Sequence, residues 1–201
     1  SREVRRQGFK VVLTGEGADE LMAGYNIFRE AKVRRFWARH PESQLRPLLL
    51  RRLYPYLAHD LGRAEAFTRA FFRKGLTDVD DPLYSHRIRF QNGQRLQQLL
   101  APVHRSEITA RETSTERLLR RLPAGFDHFT PLGKAQYLEI KTFLQGYLLH
   151  SQGDRMLMGN SVEGRFPFLD HRIAEFAARL PDRLRLRVLE EKYLLRRAAK
   201  P

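Results

Sequence analysis

The rhythm of apolar and polar positions changes along the chain, and the changes outline its elements. Lys10-Val11-Val12-Leu13-Thr14 is a short apolar run closed by Gly15, the pattern of a buried strand of parallel type. Gly15-Glu16-Gly17 predicts a turn. Ala18-Asp19-Glu20-Leu21 then starts a helix with acids in its first turn, where the macrodipole favours them. Helical spacing continues towards Arg39, weakened at Gly24, and His40-Pro41 ends it.

Leu45 to Tyr54 and Arg63 to Phe72 also carry apolar residues at helical spacing, with Pro47 in a tolerated first-turn position. Thr77 to Pro82 reads as a turn-rich loop. A less regular stretch runs to about Arg111, interrupted by Asn92-Gly93 and Pro102. Ser114-Thr115-Glu116 opens a short helix that Pro123 and Gly125 close. Pro131 to His150 is the longest periodic stretch of the second half, in which Leu138, Phe143, Tyr147 and Leu148 are expected to share a buried face; Gly146 weakens it. Asp170 is placed as the N-cap of a helix from His171 to Leu180, stopped by Pro181, and Lys192 to Ala199 forms the last helix. The expected body is mostly α-helical with one or two short strands. A single parallel-type strand cannot satisfy its own backbone groups. Either its partners lie in segments whose pattern does not announce them, or the chain is cut from a larger α/β protein.

Composition narrows the classes. A chain of 201 residues, 42% of them hydrophobic and 30% charged, can bury a genuine core, about 70% of its extended surface. It has no Cys, which removes disulfides, thiolate metal sites and a cysteine nucleophile within these residues. No apolar run approaches the roughly 18 residues of a membrane span and no signal-peptide pattern opens the chain, so a cytoplasmic location with no membrane partner is expected. The net charge is +14, from 7 Lys and 30 Arg against 23 acids. Between Arg29 and Lys74 there are 12 basic and 4 acidic residues, a local +8. That balance raises a nucleic-acid surface. The charges are instead spread along amphipathic helices, without the interleaved glycines and aromatics of a stacking platform, which favours plain solvated faces.

Three places carry candidate chemistry. In Gly15-Glu16-Gly17-Ala18-Asp19-Glu20, a strand end with two glycines admits a ligand close to the backbone, and the following helix presents free N–H groups to an anion. Glu16 and Asp19, three apart, can face one side; beside a phosphate they call for a divalent cation, and Mg²⁺ takes one or two carboxylates plus phosphates. A tight turn with acidic helix-start residues explains the same hexapeptide without a ligand. In the block from Gly153 to Asp170, Asp154, Arg155, Glu163 and Arg165 stand among apolar neighbours: they either pair with one another or line a pocket in which Arg grips a carboxylate or phosphate. Met156 and Met158 read as packing. Lys192, a cation at a helix start against the dipole, weakly invites a functional reason.

Taken in order, Gly15-Glu16-Gly17-Ala18-Asp19-Glu20 with Gly24-Tyr25, Asp154-Arg155-Met156, Glu163-Gly164-Arg165-Phe166-Pro167-Phe168-Leu169-Asp170-His171, and Lys192-Tyr193-Leu194-Leu195-Arg196 resemble the glutamine-hydrolysing asparagine synthetases, in their C-terminal ATP-pyrophosphatase (synthetase) domain. The resemblance covers nearly the whole chain. It implies a parent α/β fold of the adenine-nucleotide hydrolase-like kind, with a parallel sheet, and residues 1–201 as the C-terminal part of the synthetase domain. It implies a ligase that adenylates the side-chain carboxylate of aspartate with ATP and Mg²⁺, after which glutamine-derived ammonia displaces AMP. Thr14 and Gly15 match positions that contact ATP, Glu16 the acid linked to acyl-adenylate formation, Asp19 a Mg²⁺ ligand, and Lys192 a catalytic lysine that steadies phosphate charge. Asp154, Glu163 and Arg165 match recurrent positions near the active site, as substrate pocket or scaffold.

The chain lacks the Ser-Gly-Gly-x-Asp-Ser pyrophosphate loop of the family and the glutaminase half with its amino-terminal Cys, so the fragment alone is expected to be inactive. Two other readings stand beside this one. A paralogous synthetase would use the same adenylation on another carboxylate and amine, and a basic nucleic-acid-binding module would use the +14. An unpaired strand edge and uncovered apolar faces also leave a homodimer open.

Overall fold

A computed structural model describes residues 1–55, 63–109 and 112–200, the side chains of 63, 64 and 109 excepted. Arg111, where the irregular stretch was expected to end, and the terminal Pro201 lie outside them. The described residues fall into two compact units, residues 1–29 with 130–201, and residues 30–129.

The first unit carries the strands. β1 (Val11–Leu13) runs parallel to β2 (Glu163–Arg165), with Val12 opposite Gly164 and Leu13 opposite Arg165. The strand predicted near the start therefore finds a partner in a segment whose charged residues concealed it. Its expected burial is corrected, because Val11 is 38% and Leu13 71% exposed. A two-stranded sheet leaves both of its outer edges unpaired within the pair. A second pair, β3 (Leu186–Arg187) and β4 (Glu190–Glu191), is an antiparallel hairpin that delivers the chain directly into Lys192.

The helix expected from Ala18 to Arg39 is broken in two, Ala18–Leu21 and Asn26–Ala38. The break is a local conformational choice. Ala23 stands in the left-handed region with φ 57°, and Gly24 donates its N–H to the Asp19 carbonyl at 2.7 Å, reversing the chain before the second helix starts. The apolar core of this unit gathers Ala23, Ile27, Phe28, Leu132, Ala135 and Leu186, with Tyr25 packed on it.

The stretch 131–150 departs from its predicted period. An α-helix covers Pro131–Glu139, capped by Thr130 Oγ1, and continues as a π-helix over Ile140–Asp154. The 3.6-residue spacing thus holds through Leu138, which is fully buried, and fails at Tyr147, which is exposed. Asp170 caps the helix His171–Arg179 as expected, its Oδ1 accepting the Arg172 N–H at 2.9 Å.

In the second unit, helix positions Val33, Arg34 and Trp37 turn inward, and Leu50, Leu53, Phe72, Leu76, Leu83 and Ile88 are buried as well. Leu45 to Tyr54 forms a 3₁₀ stretch, Arg46–Arg52, rather than an α-helix; the loop at Thr77–Pro82 and the helix opened by Thr113, Ser114–Arg120 with its capping box, agree with expectation. The region read as irregular is helical: Arg87–Arg95 passes through Asn92-Gly93, and Pro102 opens Pro102–Thr109 instead of interrupting it. Among the described residues no helix is long and apolar enough to cross a membrane.

Candidate active site

The turn after β1 is built by two constraints. Thr14 continues the parallel ladder, its N–H donating to the Arg165 carbonyl at 3.0 Å. Gly17 stands at φ 92°, and a side chain there would also strike Leu169. The second glycine of the turn is thus filled from inside the protein. Gly15 differs: nothing lies within 4 Å of where its side chain would be, so that side of the backbone is open to a ligand. The helix behind the turn is a single turn, Ala18–Leu21, which removes the long dipole expected to attract an anion.

Two oxygens in this turn are orphaned. Thr14 Oγ1 and Glu16 Oε2 are buried and have no hydrogen-bond partner among the described residues. Buried polar atoms are nearly always satisfied, so this pair leaves two hydrogen-bonding positions in the turn that a group from outside the chain, water included, can fill.

Lys192 comes to the same turn from the other end of the sequence. Its Nζ lies 2.8 Å from Asp19 Oδ1, with the two side chains 26% and 33% exposed. The backbone that delivers it is strained, since Lys192 adopts φ 50° and is held there by its N–H donating to the Met22 carbonyl at 3.1 Å. Gly24 completes the arrangement: a side chain at this position would overlap Asp19 Oδ1 and Lys192 Cε. Glu191, just before the lysine, is tied by Arg29 at 3.1 Å and Arg196 at 2.9 Å, which fixes the end of the hairpin.

Beneath this pair is a buried polar chain that sequence reasoning missed. Gln136 donates from Nε2 to the carbonyls of Glu20 (2.7 Å) and Leu21 (2.9 Å), and its Oε1 accepts Arg185 Nη1 at 2.7 Å. Arg185 also reaches Asp182 at 2.6 Å, which takes the Thr130 hydroxyl at 3.1 Å. The signal was a polar Gln on a helix face otherwise made of Leu132, Ala135 and Leu138. Glu20, 1% exposed, accepts the Tyr25 hydroxyl at 2.9 Å. Burial pushes the Glu20 carboxyl above its ordinary range, against its hydrogen bonds, with Asp19 and Glu139 adding to the rise. Burial and the adjoining Glu20 together raise the Tyr25 hydroxyl.

The remaining predicted residues are dispersed. Glu163 and Arg165 sit on the same face of β2, paired at 2.7 Å and both well exposed, which favours pairing with each other over a buried pocket. Arg165 meets the turn through its backbone only. Asp154 ends the π-helix on the surface. The structure therefore joins Asp19 to Lys192, sets Thr14, Gly15 and Glu16 on the adjoining turn, and leaves Asp154 apart. No group of three His, Cys, Asp or Glu capable of holding a metal occurs among the described residues.

The turn that holds two unsatisfied oxygens thus leads directly into the short helix whose Asp19 pairs with a lysine from the far end of the sequence. The asparagine synthase family model matches residues 1–201, and the chain belongs to that family. It is 31% identical to asparagine synthetase (glutamine-hydrolyzing) 1 of Bacillus subtilis over 94% of this chain and 28% of that protein. It is 32% identical to the amidase chyE of Penicillium rubens over 98% of this chain and 30% of the relative. It is 29% identical to the amidase chry2 of Gibberella zeae, again over 98% of this chain and 30% of the relative. The chain thus spans under a third of these relatives. No solved structure matches it.

Proposed function

We propose that the chain is the C-terminal part of the synthetase domain of an ATP-dependent, amide-forming ligase, one that activates the side-chain carboxylate of aspartate and transfers glutamine-derived ammonia to it. The observation that carries this reading is the 2.8 Å contact of Lys192 with Asp19, three residues from Glu16, in a chain whose full length matches the asparagine synthase family. In the parent protein β1 and β2 belong to a wider parallel sheet, a reading supported by their parallel pairing and the exposed Val11 and Leu13.

In this reading an oxygen of the aspartate carboxylate attacks the α-phosphorus of ATP, and the bond to pyrophosphate breaks. Ammonia then attacks the acyl carbon, AMP leaves, and the nitrogen gives up a proton. Thr14 and Gly15 receive ATP: the Thr14 hydroxyl, unpaired among the described residues, bonds to the nucleotide, and the open side of Gly15 admits it. Glu16, with one oxygen unpaired, orients the reacting groups during acyl-adenylate formation. Lys192 places a cation against the phosphate charge that develops as pyrophosphate departs. Asp19 is a hard-oxygen carboxylate and suits Mg²⁺, which the resemblance brings with ATP; when bound, the ion neutralises charge on the phosphates. Asp19 also holds the lysine in position. Asp154, Glu163 and Arg165 serve the scaffold or the substrate pocket, and the Glu163–Arg165 pair supports the scaffold role.

The relatives named as amidases favour a second reading, in which the same activation serves another carboxylate and amine. Pyrophosphate exchange into ATP by the full-length protein separates the two. Exchange that requires aspartate supports the first, exchange with a different carboxylate supports the second, and none with any carboxylate defeats both.

A further inference from the structure

We propose that Gln136 is the positioning residue of the Asp19–Lys192 pair, a side chain that ties both of its carriers together. This rests on the reading of Lys192 as a working cation, and it assigns the separation of the two charges to a buried amide touching neither.

Asp19 and Lys192 arrive on elements that cannot hold themselves in place. Asp19 is carried by a helix of four residues, Ala18–Leu21, too short to be stable in isolation. Lys192 follows a hairpin of two residues per strand and adopts a left-handed backbone that a lysine rarely takes. Gln136, by contrast, belongs to a regular helix and is 5% exposed. Its amide nitrogen uses both hydrogens on the last two carbonyls of the Asp19 helix, those of Glu20 and Leu21. Its amide oxygen accepts Arg185, which stands immediately before the hairpin that leads into Lys192. Both carriers are thereby referred to one planar group. With both amide hydrogens and its oxygen engaged, the side chain is fixed in orientation and has little freedom to let either carrier drift. Glu191 keeps its own ties to Arg29 and Arg196, so the hairpin itself stays folded when the amide is removed and what is lost is its alignment with the Asp19 helix.

The test uses Gln136→Met, which keeps size and loses all three bonds, in the full-length protein. The first readout needs no activity: reaction of individual lysines with an acylating reagent, mapped by mass spectrometry. Loss of positioning raises the Lys192 rate about threefold, the scale of a partly exposed ion pair, with Lys10 and Lys141 unchanged. Asp19→Asn raises it in the wild type and adds nothing further in the Gln136→Met background, because the two changes break one interaction. In pyrophosphate exchange, kcat falls about tenfold while KM for ATP stays within about twofold, as expected when a working group is displaced by a fraction of an ångström. A wild-type Lys192 rate in Gln136→Met overturns the proposal, as does full additivity with Asp19→Asn. If Gln136→Met does not fold, Arg185→Gln removes the link to the hairpin, together with the Arg185–Asp182 contact, and leaves the two carbonyl bonds of Gln136 in place; the same rise in Lys192 labelling is expected, and a wild-type Lys192 rate in that variant overturns the proposal. Absence of exchange in the wild type with every carboxylate would instead defeat the functional reading and leave the labelling result intact.

Discussion

Lys192 in the first unit and Arg34 in the second are both cations taken partly or wholly out of water, and they are satisfied in opposite ways. Arg34 is 3% exposed and spends its guanidinium on backbone carbonyls, those of Phe72, Tyr84, Lys74 and Gly75 at 2.8–3.1 Å, while lying over the Tyr84 ring. Burial lowers its proton affinity, with Tyr84 and Glu30 working the other way. Lys192 keeps a quarter of its side chain in solvent, leans on one carboxylate, and stands on a strained backbone. A cation that gives four of its five N–H donors to fixed carbonyls and is buried organises loops and is out of a ligand's reach. A cation that shares one exchangeable partner and keeps part of its side chain in solvent has its charge available. Sequence composition does not separate these cases, since both are one basic residue among 37.

The largest contrast is expected from Lys192→Ala. Pyrophosphate exchange should fall by about 10²–10³-fold or more, as when a charge-stabilising donor is removed, while stability changes by less than about 1 kcal/mol because the pair is partly exposed. Near-normal exchange would remove Lys192 from the mechanism. Arg34→Met should do the reverse: about 2–4 kcal/mol lost in urea unfolding, from four carbonyls left without a donor, with exchange per folded molecule unchanged. An activity loss exceeding the folded fraction would erase the distinction between the two cations.

Gly24→Ala joins the two kinds of effect. Its methyl group overlaps Asp19 and Lys192, so the pair must separate; stability should fall by about 1–3 kcal/mol and exchange by more than the unfolding accounts for. A variant as active as the wild type would show that the pair is dispensable.

The smallest effects lie in pH dependence, where the units carry opposite signs. Glu20 is raised in the folded state by burial, so the stability it contributes is fully present below the ordinary Glu range and is lost as pH rises through its native value. Asp81 is pushed up by burial, but the Arg87 fork at 2.6 Å outweighs this and its carboxyl ends below the usual range. Its contribution is present above the ordinary Asp range and disappears as pH falls through the native value. Glu20→Gln should therefore gain stability relative to wild type as pH rises towards neutrality, and Asp81→Asn should lose it over the same rise. Thermal unfolding midpoints across that range would show the crossing; parallel shifts would contradict it.

Much of the local structure was legible because it depends on neighbours in the chain. Asp170 as a cap, Thr113 with Glu116 as a capping box, the turn at Gly15–Gly17 and the short strand at Val11 are decided within a few residues. The candidate site was legible as residue types, including Lys192, whose position against the helix dipole was the only local hint. What misled was context. Asn92-Gly93 reads as a break yet lies inside a helix, and nothing in the charged Glu163-Gly164-Arg165 announced the strand that partners β1.

By itself, then, the sequence determined the motif order that assigns the family, the lack of a thiol within these 201 residues, and several caps and turns. Only the tertiary structure decided that Lys192 meets Asp19, that Gln136 serves both their carriers, and that Gly17 is filled by Leu169 while Gly15 stays open. The physical reason is range: caps and turns are contests among adjacent backbone groups, whereas a contact across 173 positions depends on how several short elements pack, which no local pattern encodes.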